Sequence, residues 1–114
     1  VFNVISRNCD DHTKNFAFRL KKDSEWELAP AYDICFAYSP DSTWVSQHNL
    51  SLNGKRKDIT KEDLLMVAKA MNIKKADNII KQISDTVNKW NTFAEITSVE
   101  ESLKEKIKKS HLIL

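Results

Sequence analysis

The chain has 114 residues, of which 41% are hydrophobic and 30% are charged, and its formal net charge is +2. These values are ordinary for one folded domain and exclude a largely disordered chain. The small net charge gives no general basis for binding nucleic acid or an anionic membrane, so we expect neither a direct nucleic-acid contact nor a membrane partner.

The sequence also bears on location and completeness. No apolar run approaches the length of about 20 residues that spans a bilayer, and the first residues do not resemble a signal peptide. The two cysteines are too few for a disulfide scaffold, so we expect reduced thiols and a cytoplasmic location.

The chain begins with Val1, inside an amphipathic segment. It contains a single glycine, Gly54, although nucleotide sites usually need glycines where backbone amides approach phosphates. We therefore expect a piece of a larger protein that lacks the phosphate-covering loop.

The first half of the chain alternates between short regular segments and polar loops. Residues 1–7 are predicted to be the last turns of a buried helix, and residues 8–15 carry no apolar period and are predicted to be a loop. Alternation of apolar and polar residues predicts strands over 16–20 and 26–28, joined by a hairpin turn, and Pro30 then breaks the second strand.

The second half is predicted to be mostly helical. Residues 37–58 are irregular in pattern, with a turn at Asn53-Gly54. One helix begins after Thr60, which can cap it together with Asp63. A second helix is predicted over residues 74–95. A third is predicted to begin at Ser98, because Ser98 and Glu101 have the spacing of a capping box.

Three oxygen-bearing side chains have a spacing that suits phosphoryl transfer. Asp10 and Asn15 lie five residues apart in the predicted loop, and Asp33 follows the hairpin. In protein kinases, a loop aspartate takes the proton of the substrate hydroxyl, an asparagine five residues later binds magnesium, and a later aspartate binds the metal that bridges the phosphates. The order of these residues therefore predicts a kinase-type site.

Two segments resemble the C-terminal region of the HipA-type kinases of bacterial toxin–antitoxin modules. Residues 8–16 contain an Asp-x-His-x-Lys-Asn pattern, and residues 26–34 contain a Pro-x-Tyr-Asp pattern. Residues 48–54 and the helices after them are similar to the rest of that region, so the resemblance covers essentially the whole chain. It implies an α+β, mostly helical fold that forms the C-terminal lobe of a protein-kinase-like protein, with a short hairpin after the catalytic loop and then a helical block.

The resemblance also implies roles for individual residues. Asp10 would be the catalytic aspartate of a serine/threonine kinase, and Asn15 and Asp33 would bind Mg²⁺. ATP would be the co-substrate, and the residues implied to contact it are His12, Thr13, Lys14, Asn15, Tyr32 and Asp33. A single domain would span residues 1–114, with the catalytic and metal-binding loops in 1–58 and the helical block in 59–114.

The implied partners are a protein substrate such as an aminoacyl-tRNA synthetase, a DNA-binding antitoxin, and an N-terminal kinase lobe that these residues do not include. Without that lobe, we expect the 114-residue piece to be inactive on its own.

Other interpretations of the same residues stay open at this stage. The helical block could be a non-catalytic interaction module with a vestigial loop, in which the apolar tail 112–114 packs on a neighbour. A small metal-dependent phosphohydrolase could use Asp10, Asp11, His12 and Asp33. A transition-metal site at residues 9–12 is a further alternative, although consecutive residues rarely converge on one ion. Asp11 is otherwise expected to be a solvated or capping carboxylate, and His48 is expected to be structural.

Overall fold

Five helices and one two-stranded antiparallel sheet make up the protein in the computed structural model, which describes all residues from 1 to 114. In chain order the elements are α1 (Phe2–Ser6), β1 (Phe18–Leu20), β2 (Trp26–Leu28), α2 (Lys61–Ala70), α3 (Ala76–Val87), α4 (Trp90–Ile96) and α5 (Glu101–Ser110). The predicted α+β, mostly helical class is therefore confirmed. None of the five helices has the length and apolar composition needed to cross a membrane.

The strands form the predicted hairpin. Phe18 lies opposite Leu28, and Leu20 lies opposite Trp26. The first strand begins two residues later than predicted, because residues 13–15 form a short 3₁₀ turn and Phe16 then leads into the ladder. The hairpin joins the polar loop 8–15 to the segment that contains Asp33, so it sets the separation of the two halves of the predicted site.

The start of α2 agrees with the prediction from sequence. The backbone N–H of Asp63 donates to Thr60 Oγ1, and the Asp63 carboxylate accepts from the backbone N–H of Thr60 at 2.9 Å, which completes a capping box. The predicted Asn53-Gly54 turn is also present, and both of these residues have a positive φ. Asp63 accepts from Asn53 Nδ2 and Lys55 Nζ, each at 2.8 Å, and so ties this turn to the helix.

The single helix predicted over residues 74–95 is wrong, because the structure divides it into α3 and α4. The chain turns at Asn88 and Lys89, where the Lys89 N–H donates to the Thr86 carbonyl in a 3₁₀-type bond of 3.1 Å. At the start of α4, Trp90 Nε1 donates to the carbonyl of Lys104 in α5 at 3.0 Å. This contact between distant residues anchors α4 to α5, and the apolar periodicity of the sequence does not predict it.

The predicted start of the third helix at Ser98 is also wrong. Ser98 has a φ of 55°, and its N–H donates to the Glu95 carbonyl while the Val99 N–H donates to the Ala94 carbonyl. These two bonds are a Schellman motif that ends α4. Helix α5 begins later, and Glu100 caps it by accepting from the N–H groups of Ser102 and Leu103.

The core is small and runs between the helices. Helix α1 packs on α3, α2 packs on α3, and α4 packs on α5. The buried apolar side chains are Val4, Ile5, Cys9, Ile59, Leu64, Ala68, Ile80, Val87, Ala94 and Ile107. The apolar tail returns to this core, since the Leu112 N–H donates to the Ile5 carbonyl at 3.0 Å. The tail therefore packs at least partly on its own chain.

Candidate functional site

The loop that carries Asp10 is held between two other segments of backbone. On one side, the Cys9 N–H donates to the Ala37 carbonyl at 3.0 Å, and the Ala37 N–H donates to the Arg7 carbonyl at 3.2 Å. On the other side, the Asn49 N–H donates to the Cys9 carbonyl at 3.2 Å. Because three distant parts of the chain meet at residue 9, the position of the next residue, Asp10, depends on all of them.

Asp10 is half-exposed, with 45% of its side chain accessible to solvent. Its Oδ1 lies 2.9 Å from Nε2 of the equally exposed His12 and accepts from Asn49 Nδ2 at 3.3 Å. No hydrogen bond within the chain uses its Oδ2. A carboxylate that is oriented by one oxygen and open at the other can accept a proton from a hydroxyl that approaches from solvent.

Asn15 lies at the end of the 3₁₀ turn Thr13–Asn15 and faces back toward Asp10. Its Nδ2 donates to the main-chain carbonyl of Asp10 at 3.1 Å. This bond uses the amide nitrogen and leaves Oδ1 without a partner in the chain. Amide oxygen and carboxylate oxygen are the donor types that Mg²⁺ accepts.

Asp33 has a left-handed backbone, with a φ of 53°, and an exposed side chain that makes no hydrogen bond within the chain. Its main-chain carbonyl accepts from Nδ2 of the buried Asn8 at 3.4 Å. Aspartate is one of the few non-glycine residues that adopt this region readily. The carboxylate of Asp33 is therefore available to a ligand from solvent.

Two contacts join the polar loop to the segment after the hairpin. Tyr32 donates its hydroxyl hydrogen to the Lys14 carbonyl at 2.5 Å, and Asn8 bonds to Asp33 as described above. Burial raises the pKa of the Cys35 thiol, and the carboxylates of Asp33 and Asp10 raise it further. The structure thus brings the backbones of the two predicted site segments together. The convergence of the Asp10, Asn15 and Asp33 side chains on one ion stays a prediction.

The remaining predicted nucleotide contacts lie on the same loop. His12, Thr13 and Lys14 are all exposed, and so is Tyr32 across from them. Apart from the contact of His12 with Asp10, none of these side chains except Tyr32 is engaged by a hydrogen bond within the chain. They are available to a ligand at the loop surface.

Behind the loop, Asp11 and His48 form a buried ionic pair. The sequence did not predict that these two residues are partners. Asp11 Oδ2 lies 3.0 Å from Nδ1 of His48, and Asp11 Oδ1 accepts from the N–H groups of Asn49 at 2.8 Å and Leu50 at 3.2 Å. Burial alone would raise the pKa of Asp11, but these hydrogen bonds outweigh it and hold the pKa below its usual value. Burial alone would lower the pKa of His48, but the hydrogen bond to Asp11 and the nearby side chain of Cys9 raise it to about 9. Both residues are therefore charged at neutral pH. The burial of His48 agrees with the structural role expected for it, whereas Asp11, expected to be a solvated or capping carboxylate, is buried against His48 and two main-chain amides.

This geometry bears on the metal-site alternatives. Nowhere in the chain do three or more histidine, cysteine, aspartate or glutamate side chains form a group that could hold a metal ion. Asp11 is buried against His48 and two main-chain amides, so it does not share a site with Asp10 and His12. The four-residue hydrolase set and the transition-metal set at residues 9–12 do not assemble. The two cysteines are free thiols.

Among protein families, the model of the HipA-like C-terminal domain matches residues 1–90, which include both polar segments of the site and the helices through the start of α4. No curated protein and no solved structure shows a significant match to the chain.

Proposed function

Because the chain belongs to the HipA-like C-terminal domain family, we propose that it forms the catalytic C-terminal lobe of a serine/threonine protein kinase. In this proposal, the γ-phosphate of ATP passes to a serine or threonine hydroxyl of a protein substrate with the help of Mg²⁺. The main support for this proposal is that the loop 8–15 and the segment after the hairpin lie together. Hydrogen bonds from Tyr32 to Lys14 and from Asn8 to Asp33 join them.

The proposed role of Asp10 follows from its exposure and its contacts. Its Oδ2 is free, while His12 and Asn49 orient Oδ1. Asp10 would accept the proton of the substrate hydroxyl and align the hydroxyl oxygen for in-line attack. His12 and Asn49 act through Asp10 and are positioning residues in this respect.

The proposed metal ligands are Asn15 and Asp33. Asn15 Oδ1 and the Asp33 carboxylate have no partner within the chain, so neither must break a hydrogen bond to bind a cation. When bound, Mg²⁺ neutralises charge on the phosphates of ATP. The exposed side chains of His12, Thr13, Lys14 and Tyr32 would contact the nucleotide beside the metal.

The family supports three further proposals about partners. A second, N-terminal kinase lobe would cover the phosphates, a translation enzyme such as an aminoacyl-tRNA synthetase would be the substrate, and a DNA-binding antitoxin would regulate the protein. Since positioning and electrostatic stabilisation supply nearly all catalysis of phosphoryl transfer, the 114-residue chain alone should bind ATP weakly and show no turnover.

The metal site can be tested on the chain itself with Mn²⁺ as a paramagnetic substitute for Mg²⁺. In the presence of ATP, Mn²⁺ should broaden the amide resonances of residues 10–15 and 32–35 in a two-dimensional NMR spectrum. Asp33→Asn should abolish the broadening, and Asp23→Asn in the hairpin turn should leave it unchanged. Broadening that is centred elsewhere, or that survives Asp33→Asn, would contradict the proposed ligands.

A further inference from the structure

Asn8 is a buried polar residue that links two segments of the chain from inside the protein. It is 1% exposed, and its backbone N–H donates to the carbonyl of Asn3 in α1 at 2.9 Å. The side-chain amide nitrogen carries two hydrogens and has two acceptors. Nδ2 donates to Asn3 Oδ1 at 3.3 Å and to the main-chain carbonyl of Asp33 at 3.4 Å. Asn8 therefore connects α1 with the segment that follows the hairpin.

The bond from Asn8 is the one hydrogen bond that Asp33 makes within the chain. The Asp33 backbone is left-handed, with a φ of 53°, and its side chain is exposed. Tyr32 and Ala37 also contact the loop 8–15, but each does so from a neighbouring position of the segment. Asn8 is therefore the residue that directly fixes the backbone of Asp33 relative to this loop.

The side-chain oxygen of Asn8 indicates that the residue does more than fill the core. Oδ1 is buried and has no hydrogen-bond partner within the chain. A buried acceptor without a donor destabilises a fold, whereas an apolar side chain of the same shape can be neutral or stabilising at such a position. An unsatisfied group of this kind calls for an explanation. The benefit of an asparagine here lies in its amide nitrogen, which holds the backbone of Asp33.

We propose that Asn8 is a positioning residue for the magnesium site, and this inference rests on the proposed function. Asn8 would hold the Asp33 carboxylate at the separation from Asn15 Oδ1 that one shared ion requires, without touching the ion itself. Mg²⁺ demands near-octahedral geometry with oxygen ligands at about 2.0–2.1 Å, so it tolerates little displacement of a ligand. Replacing a residue that orients a metal ligand typically lowers metal affinity about 10–100-fold.

Asn8→Leu tests the proposal, because leucine has nearly the shape of asparagine but no N–H to donate. Paramagnetic relaxation rates at residues 10–15 and 32–35, measured over a Mn²⁺ titration with ATP present, give an apparent Kd for the metal. Asn8→Leu should raise this Kd at least about tenfold. Its thermal midpoint without metal should equal or exceed that of the wild type, because the unpartnered oxygen is removed as well. A merely structural asparagine would instead lower the midpoint when it is replaced.

Asn3→Ala is the matched control, since it removes the other acceptor of Asn8 Nδ2 and leaves the bond to Asp33. It should bind Mn²⁺ as the wild type does. Asn8→Ala is the second variant if Asn8→Leu does not fold, and it should lose the same affinity because it also lacks the donor. Unfolding of both Asn8 variants would assign the residue a structural role and overturn the inference.

The outcomes separate this inference from the proposed function. Wild-type affinity in a folded Asn8 variant, together with loss of binding in Asp33→Asn, would overturn the role of Asn8 and leave the proposed ligands in place. Equal weakening by Asn3→Ala would overturn it too, because the effect would then come from the attachment of α1. Absence of Mn²⁺ broadening at these residues in the wild type would overturn both the proposed ligands and this inference.

Discussion

Nδ1 of His48 lies 3.0 Å from the carboxylate of Asp11, and both side chains are buried. The residues next to them in sequence form the adjacent contact, because Asn49 Nδ2 donates to Asp10 Oδ1 at 3.3 Å. A buried ionic pair and a half-exposed carboxylate thus depend on the same two segments of backbone. The pair fixes the loop from which Asp10 reaches solvent.

Replacement of His48 by leucine should destabilise the protein by about 3 kcal/mol, because it leaves the Asp11 carboxylate buried without its cationic partner. Urea denaturation followed by circular dichroism measures this change in the free energy of unfolding. His12→Leu is the control, because His12 is half-exposed and its removal should change stability by no more than about 0.5 kcal/mol. The prediction would be contradicted if His48→Leu lowered the free energy of unfolding no more than His12→Leu does.

The stability of the protein should fall as the pH rises from neutral into the alkaline range. The pKa of His48 is about 9 in the folded protein and 6.5 when unperturbed, so the folded state binds the proton more tightly. Its contribution is therefore fully present below pH 6.5 and is lost as the pH rises through about 9. Urea midpoints measured across this range should decrease in the wild type, and His48→Gln should remove most of that decrease. An equally steep decrease in His48→Gln would assign the effect to another group.

The fold was predictable where local signals act alone. The capping box of Thr60 and Asp63, the Asn53-Gly54 turn and the second strand all depend on residues close in sequence, and the structure contains each of them. Ser98 shows the limit of such signals, because a serine followed three residues later by glutamate suits a helix start, yet the backbone bonds to Ala94 and Glu95 use it as a helix end.

The sequence predicts which exposed residues form the candidate site, and this stays a prediction, but it does not predict the contacts that support those residues. The spacing of Asp10, Asn15 and Asp33 pointed to phosphoryl transfer, and the two segments do lie together. The partnership of Asp11 with His48 links residues 37 positions apart in sequence, so no local pattern records it. Asn49, which contacts Asp10, was missed for the same reason.

Ser98→Gly should stabilise the protein by about 0.5–1 kcal/mol. The backbone at this position has a φ of 55°, which glycine adopts without the steric cost that a serine Cβ imposes, although the added freedom of the unfolded chain offsets part of the gain. Thermal or urea unfolding measures the difference. Lys106→Gly, in the interior of α5, is the contrasting control and should destabilise by about 1 kcal/mol. Destabilisation by both substitutions would mean that the Ser98 side chain contributes more than its backbone strain costs.

Asp10→Asn should remove most kinase activity from a protein that carries both proposed lobes, and it should do so without unfolding this lobe. Asparagine preserves the shape of the side chain but cannot accept the hydroxyl proton, and a positioned general base typically contributes about 10²–10⁴-fold to the rate. Single-turnover phosphorylation at saturating ATP isolates this step from nucleotide binding, which should change little because Asp10 is not a proposed metal ligand. Asp23→Asn, on the exposed hairpin turn, should retain the wild-type rate. Wild-type turnover by Asp10→Asn would exclude Asp10 as the base. A loss of turnover that is accompanied by a clear loss of thermal stability would instead assign Asp10 a structural role through its contacts with His12 and Asn49.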